Sequence, residues 1–240
     1  MRNAIIHCLY FIFFTLSLKL SSTTFAEQLH FASIAQLSEQ EVALKVLPQI
    51  YQHLGQEITI TPLPANRAQY EANSGKKDGE ILRIYSYGEQ NNNVIRVPTP
   101  YYSLTTGVFS RNDRKIIVNS QSDLSKYRIG KVRGVKHTEN ATKGLMRVYN
   151  SNNSEQLFKQ LQQGTIDIAL TNYLNGELTI KKLNLNNIVV VNKALDHEPL
   201  YHYLYKKHQH LVPQVDEAIK QLSASGALDQ MIKKAEKDVY

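Results

Sequence analysis

The sequence predicts an α/β protein with two similar lobes, each a mostly parallel sheet flanked by helices. Two observations lead to this fold class: strand and helix patterns alternate along the chain, and they fall into two series, the second beginning after Asp113. Strands that alternate with helices form parallel sheets, because a parallel neighbour is reached only through a long crossover. The composition, 42% hydrophobic and 20% charged, excludes a disordered chain, a collagen-like repeat and a polytopic membrane protein.

The first series begins with alternating apolar and polar residues over 29–34, which predict a strand. Ser38 and Glu41 have the spacing of a capping box, and apolar residues recur at helical spacing from there to Gly55. The rest of this series comprises a strand over 58–61 closed by Pro62 and Pro64, a helix over 66–74 ended by Gly75, a short strand from Ile81, and a polar loop over 89–93.

The second series follows a β-rich run over residues 103–110. Residues 127–132 predict a strand, and the segment from Gly134 to Thr138 predicts a turn that opens a helix. The remaining elements are a helix over 154–163 capped by Gly164, buried strands over 167–170 and 188–191, an alternating strand over 201–205, and two amphipathic helices over 212–224 and 226–237. We expect the last two helices to return to the first lobe.

The first 26 residues carry the features of a secretory signal peptide. Arg2 provides the positive start, residues 8–18 form an apolar stretch too short for a bilayer span of ~20 residues, and residues 24–26 form a small-x-small cleavage site. We expect cleavage after Ala26; the alternative is an uncleaved anchor. Cleavage removes two basic residues, Arg2 and Lys19, and no acidic residue, so the formal net charge falls from +7 to +5. Such a mild excess does not indicate a nucleic-acid surface.

Neither cysteine nor histidine predicts a metal or redox site. Cys8 is the single cysteine, and it lies inside the predicted signal, so the mature protein has no thiol for a disulfide, a metal or a nucleophile. Three histidines lie close together in sequence: His202, His208 and His210. Lys206 and Lys207 beside them repel a cation, so we expect solvated histidines, no metal and no cofactor.

Five short motifs follow one another in order along the chain. They are SGKKDG at 74–79, PYY at 100–102, YRIGKVRG at 127–134, QGxxDIAL at 163–170 and LxxxGxL at 222–228. Together they resemble the extracytoplasmic (periplasmic) solute-binding proteins of the polar amino-acid ABC transporter family, family 3. The resemblance spans nearly the whole mature chain, and its strength is the ordered series.

The resemblance implies the type II periplasmic-binding-protein fold, in which a ligand cleft lies between two lobes joined by a two-strand hinge. Lobe one would comprise residues 27–105 and 198–240, and lobe two residues 106–197. Family members bind small solutes in the periplasm, close around them by hinge motion, and pass them to an ABC permease or report them to a membrane sensor. A monomer that binds a small polar organic solute is therefore expected.

Ligands of open α/β lobes bind at the carboxyl ends of strands, where loops and helix N-termini present unpaired N–H groups. The turn that contains Gly134, His137 and Thr138 lies between a strand and a helix. In the family, this turn usually contacts the acidic group of the ligand. Thr138 is therefore either a ligand contact or simply an N-cap.

Arginine offers a planar fork that matches a carboxylate. Family members carry a carboxylate-binding arginine further along the chain, where this sequence has none. Either Arg83 or Arg96 substitutes for it, or the ligand lacks that carboxylate. The segment from Glu80 to Arg83 follows a turn, and both of these residues are predicted ligand contacts. Arg67 is either a further contact or an ion-pair partner of Asp78 or Glu80.

Asparagine and tyrosine complete the predicted contacts. Asn172 follows a buried strand and stands where the family often has an aspartate for the ligand amino group. Compared with aspartate, asparagine can still form a hydrogen bond with the ligand amino group, but it has no negative charge to attract it. Two tyrosine pairs, Tyr85 with Tyr87 and Tyr101 with Tyr102, would supply walls or ordinary packing. The second pair is included among the predicted ligand contacts.

Two other functional classes were considered. Some members of the same structural superfamily are small-molecule dehydratases, and Glu80 or His137 would then be a general acid or base. The sequence has no nucleophile elbow and no phosphate-binding glycine loop, so we expect no enzyme. The other class is a ligand-sensing partner of a membrane receptor, which neighbouring genes would distinguish from a transport component.

Overall fold

The structure, a computed structural model, describes residues 28–239; the predicted signal at 1–26 lies outside the described residues. The described residues form one nine-stranded sheet and eight α-helices, with short 3-10 helices at Asn112–Arg114, Gln121–Lys126 and Lys206–Leu211. None of the helices in this part of the chain is long and apolar enough to cross a membrane.

The strands and helices alternate as the sequence predicts, with several additions. In chain order they are β1 (Leu29–Ile34), α1 (Ser38–His53), β2 (Ile58–Leu63), α2 (Ala65–Asn73), β3 (Gly79–Ile84), α3 (Ser86–Glu89), β4 (Val94–Arg96), β5 (Tyr102–Arg111), β6 (Ile129–Val132), α4 (Lys136–Ala141), β7 (Val148–Ser151), α5 (Ser154–Gln162), β8 (Ile168–Asn172), α6 (Tyr173–Leu183), β9 (Ile188–Tyr205), α7 (Val212–Ala224) and α8 (Ala227–Val239).

The sheet has a parallel group of strands at each end and antiparallel strands between them. Its order is β2-β1-β3-β9-β5-β8-β6-β7, and β4 pairs with β9 outside this path. β1 is parallel to β2 and β3, and β6 is parallel to β7 and β8. β5 and β9 are antiparallel to each other and join the two groups. The two-lobed α/β architecture with a two-strand connection is therefore confirmed.

β9 is a single strand of 18 residues, whereas the sequence predicts two separate strands within it. Its carboxyl-terminal part pairs with β3 and β4, and its remaining length pairs with β5. The middle of β9 is polar and mostly exposed, a composition that predicts a loop. Hydrogen bonds to β5 keep this polar segment extended, so one strand runs through both halves of the molecule.

Two local predictions for the first half are wrong. Ser38 is the first helical residue of α1, and Leu37 holds the N-cap position. The Ser38 N–H donates to Asn175 Oδ1 at 3.3 Å, so a side chain from α6 replaces the predicted capping box. β2 continues through Pro62 instead of ending there, because β2 is an edge strand, where a missing N–H interrupts no ladder.

Buried side chains form a hydrophobic cluster in each half of the molecule. In the first half, β1 and β3 pack against α1, α7 and α8, with Phe31 fully buried. In the second half, the cluster surrounds Phe109 and Phe158. The second cluster also includes Ile34 and Leu37, which belong to the end of β1 and the start of α1. The two halves are therefore in direct apolar contact.

Candidate functional site

The two halves meet around a small central space of about 20 Å³. Seven aliphatic side chains line it: Ile34, Leu37, Leu82, Ile84, Leu104, Val135 and Leu200. Five polar or charged side chains complete the lining: Glu39, Gln40, Arg83, Lys136 and His137. A space of this volume accommodates about one water molecule. The halves are thus closed on each other at the central space, and their own side chains fill it. A larger open space of about 480 Å³ also lies between the halves, with Asn66 on one side and Asn153 on the other.

Arg83 and Glu80 form a buried ion pair in β3. The guanidinium Nε donates to Glu80 Oε2, and Nη2 donates to Oε1 at 3.0 Å. The Tyr87 hydroxyl donates to the same carboxylate at 2.7 Å. Residues three apart on a regular strand lie on opposite faces. A register shift in the β3–β9 pairing between Glu80 and Arg83 brings the two side chains together.

The remaining donors of Arg83 go to backbone carbonyls. Nη2 donates to the carbonyl of Ala65 at 3.1 Å, and Nη1 lies 3.5 Å from the carbonyl of Gly134, which belongs to the other half. Burial acts to lower the pKa of Arg83, but the Glu80 carboxylate outweighs it, so the pKa lies above its ordinary value. Arg83 therefore stays charged and joins the two halves.

Glu39 and Asn172 form the second polar contact across the cleft. Glu39 lies in the first turn of α1 and is 3% exposed. Asn172 is the N-cap of α6; its Nδ2 donates to Glu39 Oε2 at 2.8 Å, and its Oδ1 accepts from the N–H of Leu174 at 3.2 Å. Burial raises the pKa of Glu39, although hydrogen bonds from Asn172 and Ser38 act in the opposite direction.

The turn before α4 differs from its predicted form. Gly134 has a φ of +79°, and a Cβ there would lie 2.2 Å from Asn66 Oδ1, so the close approach of the two halves requires glycine. The Gly134 N–H donates to Glu139 Oε1 at 3.0 Å. Thr138 is not an N-cap, because it lies inside α4, where its hydroxyl donates to the carbonyl of Val135 at 2.9 Å.

Arg67 lies on α2 and does not line the central space. Its Nε donates to Glu71 Oε1 at 2.7 Å. An ion pair is one of the two predictions for Arg67, but its partner is Glu71 and not the predicted Asp78 or Glu80. Residues four apart on a helix are neighbours, which favours Glu71. The Arg67 side chain is 67% exposed, so the pair contributes little stability.

The predicted tyrosines Tyr101 and Tyr102 belong to the packing of the first half. Tyr101 is buried, and its hydroxyl donates to the carbonyl of Ile81 at 2.7 Å. Tyr102 is half-buried, and its hydroxyl donates to Glu236 Oε1 on α8 at 2.8 Å. Neither tyrosine lines the central space. Of the residues predicted from sequence, Arg83 and His137 do line it, while Glu80 and Asn172 bond directly to lining residues.

Two of the three neighbouring histidines are buried, so the prediction that they are solvated is wrong for them. His202 is bonded through Nε2 to the Tyr51 hydroxyl and through Nδ1 to the carbonyl of Glu80, both at 2.9 Å. His208 Nε2 lies 2.6 Å from Asp78 Oδ1. Packing of β9 and the segment after it against β3 buries both rings. Within residues 28–239, no group of three histidine, cysteine, aspartate or glutamate side chains is arranged to hold a metal ion.

Residues 42–236 match the family model of the bacterial extracellular solute-binding proteins, family 3. The chain belongs to this family. The match covers most of the chain, and it confirms the resemblance seen in the ordered motifs. An uncharacterized protein of Shewanella oneidensis is 28% identical over 194 residues, which cover 75% of this solute-binding protein and 72% of the relative.

Solved structures have the same fold. A histidine kinase sensor domain with similarity to periplasmic binding proteins aligns over 87% of this chain and 95% of its own, with a TM-score of 0.76 and 15% identity. An ancestral arginine-binding protein bound to glutamine aligns over 87% of this chain and 97% of its own, with a TM-score of 0.71 and 18% identity. A substrate-binding protein of an amino acid ABC transporter from Streptococcus pneumoniae, bound to L-arginine, aligns over 88% of this chain and 95% of its own. Its TM-score is 0.68 and its identity 19%.

Three polar side chains that line the central space were not predicted: Lys136 on α4, and Glu39 and Gln40 in the first turn of α1. The Oε1 atom of Gln40 accepts from the N–H of Ile34 at 3.1 Å, and its Nε2 donates to the carbonyl of Leu82 at 2.9 Å. Gln40 therefore fixes α1 against β1 and β3. For the two residues of α1, the position just after the first strand was the available signal, because loops at the carboxyl ends of strands face the cleft.

Acidification should destabilise this solute-binding protein through two buried histidines. Burial lowers the pKa of His137 and of His202 to about 4, from an ordinary value of 6.5. Between these values the unfolded chain binds protons at the two histidines that the folded chain does not, so their contribution to the free energy of unfolding falls as the pH drops from 6.5 towards about 4. Burial raises the pKa of Glu198 to about 7, which acts in the opposite direction. Each histidine contributes up to about 1.4 kcal/mol per pH unit.

Denaturant unfolding at a series of pH values, followed by circular dichroism, measures this dependence. His137→Gln should remove the share of the slope that His137 contributes. His210 is exposed, so His210→Gln is a matched control that should leave the slope unchanged. Equal slopes for the parent protein and His137→Gln would contradict the prediction.

Proposed function

We propose that this protein binds a small polar organic solute, an amino acid or a related carboxylate or amine, between its lobes and delivers it to an ABC transporter. The observation that carries the proposal is the central space, where side chains of both halves meet and polar groups lie among aliphatic walls. Membership of a solute-binding family supports it. The fold shared with an arginine-binding protein and an amino acid ABC transporter protein supports it further.

The proposed lobes are residues 27–105 with 198–240, and residues 106–197. In support, Thr105 pairs with His197 and Thr106 pairs with Asp196 in the β5–β9 ladder. The two boundaries that the sequence predicts therefore lie opposite each other on adjacent strands. Rotation of the lobes about this pair of strands would open and close the cleft.

Entry of a solute into the central space requires the lobes to separate there, because this space has room for about one water molecule. Polar contacts that cross the cleft must then break: Arg83 with the Gly134 carbonyl, Glu39 with Asn172, and the Ser38 N–H with Asn175. A solute that satisfies the same groups binds the open form and stabilises a closed one around itself. The free energy that these direct contacts contribute to the solute-free closed form is lost when the solute binds, and it therefore lowers the affinity for the solute.

We assign graded roles to the residues predicted from the sequence. Those proposed nearest to the solute are Arg83, His137 and Asn172, supported by Glu80, Gly134 and Thr138; Arg67, Tyr101 and Tyr102 are proposed to act outside the central space. The protein is proposed to act as a monomer in the periplasm of a Gram-negative-type cell after removal of residues 1–26, and to release its solute unchanged. The family assignment supports extracellular binding without conversion.

A reversible cross-link between the lobes tests hinge closure. Asn140 Nδ2 on α4 donates to Ser86 Oγ on α3 at 2.9 Å, and these residues belong to different proposed lobes. The mature chain has no cysteine, so a Ser86→Cys/Asn140→Cys protein contains only the two introduced thiols. Oxidation should abolish solute binding and reduction should restore it, whereas Ser86→Cys alone should bind equally in both states.

The solute for this experiment is chosen by a thermal-shift screen of amino acids, small carboxylates and amines. A solute present at 1,000 times its Kd stabilises the folded state by about 4 kcal/mol and raises the melting temperature accordingly. Undiminished binding by the oxidised double variant would overturn hinge closure. A screen in which no compound changes the melting temperature would overturn the proposed solute class.

A ligand-sensing role is the second candidate function. The fold match to a histidine kinase sensor domain, with a TM-score of 0.76, favours it. The two functions differ in the membrane protein that contacts the lobes. Genes for a permease and an ATPase beside the gene for this protein would support transport, whereas a sensor kinase gene would support signalling. Co-purification of the corresponding membrane protein in the presence of the solute is the direct test.

A further inference from the structure

Glu39 is a buried carboxylate with no positively charged partner. Among the described residues, no lysine, arginine or histidine nitrogen lies within 4.0 Å of its oxygens. Its hydrogen-bond donors are neutral: the Asn172 amide at 2.8 Å and the Ser38 hydroxyl at 3.4 Å. The side chain lines the central space and is 3% exposed. Its charge is thus compensated neither by water nor by an ion pair.

Two other acidic side chains near the lobe contact, Glu80 and Glu139, do have cationic partners. Glu80 accepts two bonds from Arg83. Glu139 lies 3.0 Å from Lys136 Nζ and 3.8 Å from Lys131 Nζ. Lys136, the lysine that lines the central space, is therefore already paired. Removing a carboxylate from water without a partner is costly, and burial accordingly raises the pKa of Glu39. A cation in the cleft would relieve this cost.

The other side chains of the central space offer little to an anion. The fork of Arg83 is taken by Glu80, and its other donors face the carbonyls of Ala65 and Gly134. His137 is buried and has an Nε2 atom without a hydrogen-bond partner. Because burial lowers the pKa of His137 to about 4, this ring is neutral near pH 7 and offers a hydrogen bond but no charge.

The walls of the central space are aliphatic, with leucine, isoleucine or valine at seven of the twelve lining positions. A ligand that complements this cleft has a positive group for Glu39, one polar atom within reach of the unpartnered imidazole, and an apolar body for the walls. A free carboxylate in the central space would meet no unpaired guanidinium. This composition points away from an α-amino acid and towards an amine.

We propose that the solute is a small aliphatic amine whose ammonium group binds Glu39, with Asn172 as a neutral second contact from the other lobe. The inference rests on the proposed function, namely that the cleft between the lobes holds a solute. It assigns the charge recognition to α1 of the first half. Arg83 lies beside the solute, but its guanidinium fork stays paired with Glu80. The amine is held by its charge at one end and by aliphatic contacts along its length.

Isothermal titration calorimetry with three compounds of matched length tests the proposal. Pentylamine has the ammonium group, hexanoate has the carboxylate, and norleucine has both. Pentylamine should bind most tightly, norleucine more weakly, and hexanoate not at all. Glu39→Gln keeps the size of the side chain and removes its charge, so it should weaken pentylamine binding by about 100-fold or more. Glu41→Gln, two residues further on in the same helix, should change the affinity less than about twofold.

Circular dichroism and thermal unfolding confirm that both variants are folded before titration. Pentylamine binding that Glu39→Gln leaves unchanged would overturn the assignment. Binding of hexanoate or norleucine in preference to pentylamine would also overturn it, but would leave solute binding between the lobes intact. If none of the three binds, the amine proposal fails, and the screen and cross-linked variant described above decide separately whether the cleft binds another solute.

Discussion

Replacing Arg83 with methionine should lower the free energy of unfolding by about 3–5 kcal/mol. The side chains of Arg83 and Glu80 are 3% and 1% exposed, so the substitution leaves a carboxylate buried without its cationic partner. The Tyr87 hydroxyl alone then compensates the Glu80 charge. Denaturant unfolding followed by circular dichroism measures the loss.

Two further variants define the origin of this effect. Arg83→Met/Glu80→Met should recover most of the lost stability, because a pair of apolar side chains leaves no buried charge. Arg67→Met breaks the exposed pair with Glu71 and should cost at most about 1 kcal/mol. A loss for Arg83→Met as small as that for Arg67→Met would contradict the prediction. The double variant also tests Arg83 as a ligand contact, since solute affinity that survives in it excludes Arg83 as the anchor.

Phe109→Ala should destabilise the second half of the molecule by about 3–5 kcal/mol, because it leaves a large cavity in a closely packed cluster. The Phe109 ring is fully buried and packs at 5.3 Å between centroids against Phe158. It also lies over two glycines: a Cβ at Gly176 would be 2.1 Å from Phe109 Cζ, and a Cβ at Gly107 would be 2.9 Å from Phe109 Cε2.

A double-mutant cycle makes this prediction specific. In the parent protein, Gly176→Ala should be destabilising by about 1–3 kcal/mol, because the added methyl group overlaps the ring. In the Phe109→Ala background the same change should become stabilising, since the methyl group enters the cavity and alanine favours the helix α6. Ile117→Ala at a 66% exposed position is the control and should cost less than about 0.5 kcal/mol. Additive effects at positions 109 and 176 would contradict the packing described here.

Local sequence patterns were sufficient for the elements that carry strong periodicity. β1, α1 and the two last helices have apolar residues at strand or helix spacing, and their predicted bounds agree with the structure to within a few residues. β4 has three residues, α3 has four, and β7 is a mostly polar edge strand, so none of them gives a periodic signal. β4 and β7 form because neighbouring strands supply hydrogen-bond partners.

The candidate site was less predictable than the fold, because it is assembled from contacts between residues far apart in the chain. Asn172 and Glu39 are separated by 133 positions, and no feature near either one predicts their hydrogen bond. Arg83 was identified as a chemically suitable side chain, but its pairing with Glu80 depends on a register shift in β3 that the sequence does not show. Residue type therefore predicted which side chains could contact a ligand. Tertiary contacts determine which of those side chains still have a donor or acceptor free for it.

The continuity of β9 limits the way in which the cleft can open. β5 and β9 are paired from Tyr102 with Leu200 to Arg111 with Ile188, and this ribbon is interrupted only where residues 193–195 of β9 bulge out beside Val108. The relative rotation of the halves is therefore a torsion distributed along paired backbones, with the largest bend expected at the irregular register beside Val108. Such a ribbon defines one axis for the rotation of the two halves and restricts the amplitude of that rotation. A membrane protein that contacts both halves would consequently sense the same displacement for every solute.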